Sequence, residues 1–439
     1  VKFHGSGCCL SAKRKNSVRM RNKSPLFKFH YGWVIVFVSM LAVFGCIGLG
    51  RLALGMLLPS MGEDLGLSYS QMGLISAGNF AGYLGAVLFC GWMVRRLGAR
   101  TMIACGLMTV ATSMMLISRT SYYPTVLALY ILTGFGTGTA NVPVMGLIAH
   151  WFKASSRGRA GGLLMAGNGF AIMLSGTLIP LLTASQGAAG WRLGWLLLGA
   201  FVGVIALLSA LFIRNSPEGL GLEPIGTEIP STPDRDGKVD SLPPSSAPPY
   251  LLALIATAFF IFCFTYVIYA TFIVTTLVQE MGFNEAQASH LWIWVGFCAL
   301  FSGPLFGTLS DRVGRARGMM SVFAVQTCAY LLAASQLSGI WIYLSVTLYG
   351  LSAFSIPSII VAALSDYLPR EKVMSALGHV TFFASFGQIA GPSLAGLLAD
   401  LTGSFSSSYL LAGGLTAAAA ALAMLLPRKD ETALTQTAI

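Results

Sequence analysis

Twelve apolar runs, each about long enough to cross a lipid bilayer, follow one another from Trp33 almost to the C-terminus. They fall at about 33–58, 70–91, 100–118, 124–149, 158–184 and 191–213, then at about 250–277, 289–310, 318–335, 340–364, 373–398 and 407–426. Of the 439 residues 55% are apolar and 10% charged, where a soluble domain carries about 25% charged residues. An aqueous fold could not bury that much apolar side chain, and a disordered chain would be poor in hydrophobics and rich in charge. The pattern predicts an all-α polytopic membrane protein with twelve transmembrane helices.

Composition shifts divide the chain. Residues 1–31 are polar, with eight Lys or Arg and no acid; they lack the apolar core of a signal peptide and read as a cytoplasmic tail. Residues 214–249 hold eight prolines among Ser, Gly and charged residues, a composition that reads as a solvated cytoplasmic linker. It separates a six-span unit at 32–213 from a second at 250–427, and 428–439 form a short cytoplasmic tail. A shift of 216 positions superposes Gly91 on Gly307, Arg96 on Arg312, Gly98 on Gly314, Gly134 on Gly350, Ala160 on Ala376 and Gly162 on Gly378. One constant offset implies a duplicated unit, a device common in transporters.

Charge placement sets the expected orientation. With both termini in the cytoplasm, 24 of the 27 Lys and Arg lie in inner segments, two (Arg119 and Arg192) in outer loops, and Arg51 inside a span. Cytoplasmic loops accumulate such residues, so the net charge of +11 reflects topology rather than nucleic-acid binding. Six of the eight cysteines lie singly in apolar runs, and Cys8 and Cys9 are adjacent; neither a disulfide framework nor a zinc site is readable. Lipidation of the Cys8–Cys9 pair is one open reading.

The loop between spans 8 and 9 reads Gly307-Thr308-Leu309-Ser310-Asp311-Arg312-Val313-Gly314-Arg315-Ala316-Arg317, and a weaker copy, Gly91 to Gly98, joins spans 2 and 3. In these loops the sequence resembles the major facilitator superfamily, over about residues 31–427. The resemblance implies two pseudo-symmetric six-helix bundles rocking about a central site, exposed alternately to each side. It also implies an inner gate of Gly307, Asp311, Arg312, Gly314 and Arg315, with Asp311 facing the start of span 5 near Arg157 and Arg159. The first copy has Arg95 where the family has Asp. Gly378, Gly387, Gly391-Pro392 and Gly396 in span 11 match a glycine–proline pattern that the family places in span 5, and Tyr130 stands where the family often has Arg. Tyr31-Gly32-Trp33-Val34-Ile35-Val36 and Asn215-Ser216-Pro217-Glu218-Gly219 resemble the monocarboxylate and oxalate/formate branch, although neither span 8 nor span 11 holds the basic residue of that branch.

Arg51 is the embedded charge. It is expected about seven residues, hence about 10 Å, from the outer end of span 1. An intramembrane ionisable residue is costly and faces a wet cavity or a partner, and a guanidinium suits a carboxylate; a side chain snorkelling to the surface is the alternative. Neutral polar residues at depth complete the candidate substrate set: Asn79 and Tyr83 in span 2, Asn141 in span 4, Asn168 in span 5, Tyr266 and Tyr269 in span 7, Trp294 in span 8, Ser355 in span 10 and Gln388 in span 11. Taken singly, each reads as interhelical glue before it reads as a ligand; taken together, one positive charge and many neutral donors suit a small organic anion. No Asp or Glu lies deep in a span, so a coupling proton would fall to His379 or Asp366.

Gly48-Leu49-Gly50-Arg51-Leu52-Ala53 has the letters of a dinucleotide loop without its strand–turn–helix setting. The five histidines share no ligand spacing, and no nucleophile elbow or nucleotide loop occurs, so neither an enzyme nor a cofactor or metal ion is expected. The expectation is a monomeric secondary transporter of the bacterial inner membrane, moving a small organic anion such as a monocarboxylate. Proton-coupled efflux of drugs or metabolites and a non-transporting membrane sensor are the alternatives.

Overall fold

A computed structural model describes residues 30–227 and 249–427. The Cys8–Cys9 pair, most of the proline-rich linker and the C-terminal tail lie outside the described residues. Twelve helices cross the structure: α1 (Gly32–Leu65), α2 (69–97), α3 (99–117), α4 (Tyr123–Trp151), α5 (Ala154–Gln186), α6 (Gly190–Phe212), α7 (Pro249–Thr275), α8 (Glu285–Val313), α9 (Arg315–Ala334), α10 (Ile340–Tyr367), α11 (Arg370–Thr402) and α12 (Ser406–Ala423). Helices α2 and α3 run on as one 49-residue stretch, broken only where Gly98 takes φ 75°. At 1.5 Å per residue that stretch spans about 74 Å, more than twice a bilayer core, so it supplies two crossings. Helix α9 is the least apolar of the twelve, and α10 is interrupted between Ser352 and Ile356, where Pro357 has no N–H to continue the ladder.

Helices α1–α6 and α7–α12 form two like bundles, and the 216-residue offset recurs in their details. Gly66 and Gly282 both turn left-handed, at φ 62° and 72°. Two residues on, Ser68 and Asn284 build capping boxes with Gln71 and Gln287, closing the donors left open at a helix start. Gly98 and Gly314 share a left-handed φ with ψ 157°. Gly134 lies against the Asn79 backbone carbonyl and Gly350 against that of Val295, so a Cβ at either would collide. Asp64 accepts from Trp191 Nε1 and Arg192 Nη2 at the start of α6, while Glu280 accepts from Ser404 Oγ and Phe405 N at the start of α12.

The bundles meet from the far end to about mid-height, where Gly169 of α5 lies against the Gly296 carbonyl of α8. Gly32, the α2–α3 and α4–α5 turns and the linker define the linker end; the α1–α2 turn lies at the far end. In the far half Gly73 meets the Pro392 carbonyl, Gly396 meets that of Tyr69, and Gly55 that of Ala270. The four hydrogen bonds between bundles among the described residues also lie there: Ser76 with Thr271, Trp292 with Ser175, and Asp400 with the N–H groups of Tyr69 and Ser70. Towards the linker end, Gly91, Gly158, Gly161, Gly307 and Gly378 face open space, with no neighbour within 4 Å of where a Cβ would stand. The molecule is closed at the far end and open at the linker end.

The first part of the linker is packed, against the expectation that 214–249 is solvated throughout. Asn215 Oδ1 accepts from the Arg100 N–H at 2.8 Å, and the Arg214 carbonyl accepts from Trp151 Nε1 at 3.1 Å. Ile225 pairs its backbone with Trp151 and Lys153, and Leu222 and Ile225 lie on the buried core. Two apolar side chains and one amide that caps the α2–α3 turn hold 214–227, a signal hidden among the prolines.

Candidate functional site

The middle of α1 is not an ordinary α-helix. Phe44–Leu52 winds as a π-helix, in which the Ala53 N–H reaches five residues back to the Gly48 carbonyl at 3.1 Å. Such wide turns are rare and cluster at functional sites. Three glycines make room for it: Gly48 abuts Ala171, and Gly45 and Gly50 approach α3 side chains. Arg51 leaves the backbone here. Because α1 runs on through Pro59 to Leu65, Arg51 stands about 21 Å from the far end of its helix, deeper than the 10 Å expected from the apolar run.

Its side chain is gripped on three sides. Arg51 Nε donates to Asn79 Oδ1 at 2.9 Å, the guanidinium carbon lies 4.3 Å from the Phe80 ring centre and 4.7 Å from that of Tyr83, and the Tyr130 hydroxyl donates to the Arg51 carbonyl at 3.2 Å. Desolvated cation–π contacts contribute about 2 kcal/mol. Nη2 is buried and has no partner. A buried donor left unmade costs about 1–3 kcal/mol, more when charged, so the fourth side of the guanidinium is set up to receive an acceptor. Arg51 lines a small pocket of about 10 Å³, room for little more than a water molecule in this state, together with Gly55, Ser76, Phe80, Tyr266 and Thr271. The pocket therefore draws on both bundles.

Around this centre Gln388 Nε2 donates to the Tyr266 hydroxyl at 3.0 Å and Asn141 Nδ2 to the Tyr83 hydroxyl at 3.1 Å. The Oδ1 atom of Asn141 is buried without a partner; Asn168 on α5 is also buried, but its Nδ2 turns to Met165 Sδ and it makes no hydrogen bond to this network among the described residues. Three other expected contributors are not brought here. Tyr269 is stacked on Tyr349 at 4.0 Å inside the second bundle, its hydroxyl sharing a hydrogen bond with Ser345. Ser355 ties the break in α10 to Ser302 of α8 at 2.8 Å. Trp294 is 43% exposed and donates to Thr347, on the face of α8 opposite Trp292, which contacts α1 and α5. Span membership alone cannot tell these faces apart. Phe80, Ser76 and Thr271 were not among the sequence candidates; the i,i+4 relation of Ser76 to Phe80 on the Asn79 helix is the signal that could have found two of them.

At the linker end Arg315 bridges two acids of its own bundle, donating from Nε to Asp366 at 2.7 Å and from Nη1 to Asp311 at 2.5 Å. Gly314 makes the turn at φ 92°, Arg312 is exposed, and Gly307 meets no neighbour. Arg157 donates to the Phe152 and Ala149 carbonyls at 2.8 and 2.9 Å, closing the end of α4, and Arg159 is exposed. Asp311 and Arg157 thus keep to their own halves while this end is open. His379 is exposed on α11.

Two like six-helix bundles closing on a shared pocket that holds one cation define a membrane carrier. A family model described as Major Facilitator Superfamily matches residues 33–356 and again 254–438, and the chain belongs to that superfamily. It is 27% identical over 401 residues to the hexuronate transporter of Bacillus subtilis, covering 87% of this chain and 91% of that one. It is 28% identical over 428 residues to monocarboxylate transporter 11 of Mus musculus, covering 91% and 88%. The D-xylose-proton symporter structure shares its fold, with a TM-score of 0.70 at 18% identity over 91% of this chain and 99% of that one. The chain is a multi-pass secondary transporter and not an enzyme.

Proposed function

We propose that this transporter carries a small organic anion, a monocarboxylate being the simplest case, across a bacterial cytoplasmic membrane by alternating access. The observation that carries this reading is Arg51: a permanent cation near mid-helix, with Nε and both ring faces engaged and Nη2 buried and free. A carboxylate supplies the missing acceptor and cancels the charge in one contact. The relatives named for hexuronate and for monocarboxylates support the choice, since both substrate types carry one carboxylate. Asn79 acts as a positioning residue, Tyr83, Asn141, Asn168, Tyr266 and Gln388 line the way for the rest of the substrate, and the linker end faces the cytoplasm, following its basic residues. In this reading the structure is the inward-open state of a monomer.

The inner gate closes when the bundles rock together and Asp311 reaches the start of α5, where Arg157 and Arg159 lie; Arg315 holds Asp311 and Asp366 ready in the open state. A coupling proton would involve Asp366 or His379, and a pH jump that leaves counterflow unchanged removes that role. The main test is counterflow in proteoliposomes with labelled short monocarboxylates and hexuronates. Arg51→Ala abolishes exchange of anions in a protein that still melts cooperatively. Exchange of neutral sugars or amphipathic amines by the intact protein, untouched by Arg51→Ala, overturns the anion reading.

A further inference from the structure

At the far end, the start of α2 receives a carboxylate from the other bundle. The N–H groups of Tyr69 and Ser70 donate to Oδ1 and Oδ2 of Asp400 at 2.9 and 3.0 Å, across 330 or more positions of sequence. The first N–H groups of a helix have no partner within it, and the helix dipole puts partial positive charge beside them. The Ser68 hydroxyl already takes the Gln71 N–H, so Asp400 serves donors that the capping box leaves over. Its position is fixed by backbone contact just below: Gly396 lies against the Tyr69 carbonyl and Gly73 against that of Pro392. A side chain at either glycine would hold the seam apart and take the carboxylate out of reach.

The matching seam between α5 and α8 is built differently. The 216-residue offset places Ala184 where Asp400 stands, and Glu285 where Tyr69 stands. That seam closes through Trp292 Nε1 on Ser175 Oγ and through Gly176 packed on Ile293, with no carboxylate bridging the bundles there among the described residues. The ionic contact between bundles is therefore one-sided, and it lies at the rim, where a rocking motion opens the widest gap.

We propose that Asp400 is the bolt of the far gate. Its carboxylate, shared between the two N–H groups of α2, holds the far end shut while the linker end is open, and the bond parts when the bundles rock to expose the pocket on the far side. The inference rests on the alternating-access reading for what that opening achieves. The contact at Ser76 and Thr271 deeper in the seam then acts as a second, neutral closure.

The test uses the full chain in lipid nanodiscs, with its eight native cysteines replaced and spin labels at Tyr122→Cys and Ser338→Cys, exposed positions at the far ends of the two bundles. Pulsed dipolar spectroscopy without substrate reads the gate directly. Asp400→Ala raises the ratio of long to short far-end distances about tenfold, and Asp400→Asn, which keeps the shape and one acceptor, raises it less. Should the alanine protein not fold, the asparagine variant is read alone. Distance distributions identical to those of the parent in every folded variant overturn the bolt. Failure of the carrier reading shows separately, as parent protein without counterflow of any substrate tested.

Discussion

Arg51 concentrates the chemistry of the molecule in one side chain. Its charge is permanent, and the structure leaves a buried nitrogen, Nη2, without an acceptor, so its effect on transport is large and specific. Arg51→Lys recovers little of the activity lost in Arg51→Ala, since an ammonium cannot present a planar fork while resting on Phe80 and Tyr83. Asn79→Ala removes the acceptor that aims the guanidinium; it raises the KM for exchange about tenfold with a smaller change in kcat, about 1.4 kcal/mol of weakened binding. A KM equal to that of the parent would show Asn79 to be interhelical glue through its contact with the Tyr130 carbonyl. Arg51 could be singled out in the sequence because charge inside an apolar run is conspicuous. Its depth could not, because the helix continues past the apolar run, and neither could Phe80, one apolar residue among many.

Among the elements, the two tight turns at Gly98 and Gly314, both at the linker end, show how duplication is kept where geometry demands it. Gly98 and Gly314 hold a left-handed backbone with extended ψ, a region close to glycine-only. Alanine at either costs about 1–3 kcal/mol, read as a lowered melting temperature of the purified protein. Gly134→Ala drives a methyl into the Asn79 carbonyl and costs about 1–3 kcal/mol, with distortion at the residue that aims Arg51. Gly91→Ala and Gly307→Ala meet open space and stay within about 0.5 kcal/mol; losses as large as at Gly98 would mean that these glycines pack in the state studied. The repeat was legible in spacing, since an offset of 216 aligns glycines of both halves. Its meaning was not, because a glycine for a turn, one for a close approach and one for a moving seam are the same letter.

On the scale of the whole molecule, the bundles are joined in the far half and parted at the linker end. If Asp311 closes the inner gate, Asp311→Asn shifts the population further toward the form open at the linker end. Cross-linking between cysteines at Gly161 and Gly303, which face open space in α5 and α8, then drops several-fold, and an unchanged yield counts against the gate. The basic loops predict in addition that cysteines placed within 228–248 react with impermeant reagents only after the membrane is opened. Labelling of intact cells would reverse the orientation.

Composition and periodicity alone determined that this chain crosses a membrane twelve times in two repeated units, because lipid imposes length and apolarity on every segment independently of its neighbours. They also exposed Arg51, a charge embedded in a span. Which face of each helix meets the pocket, whether Trp294 looks at substrate or away, and that Asp400 reaches the start of α2 are decided by rotations and contacts between segments hundreds of residues apart. In a span apolar on every side, no periodic signal marks those rotations; the tertiary packing of glycine seams sets them.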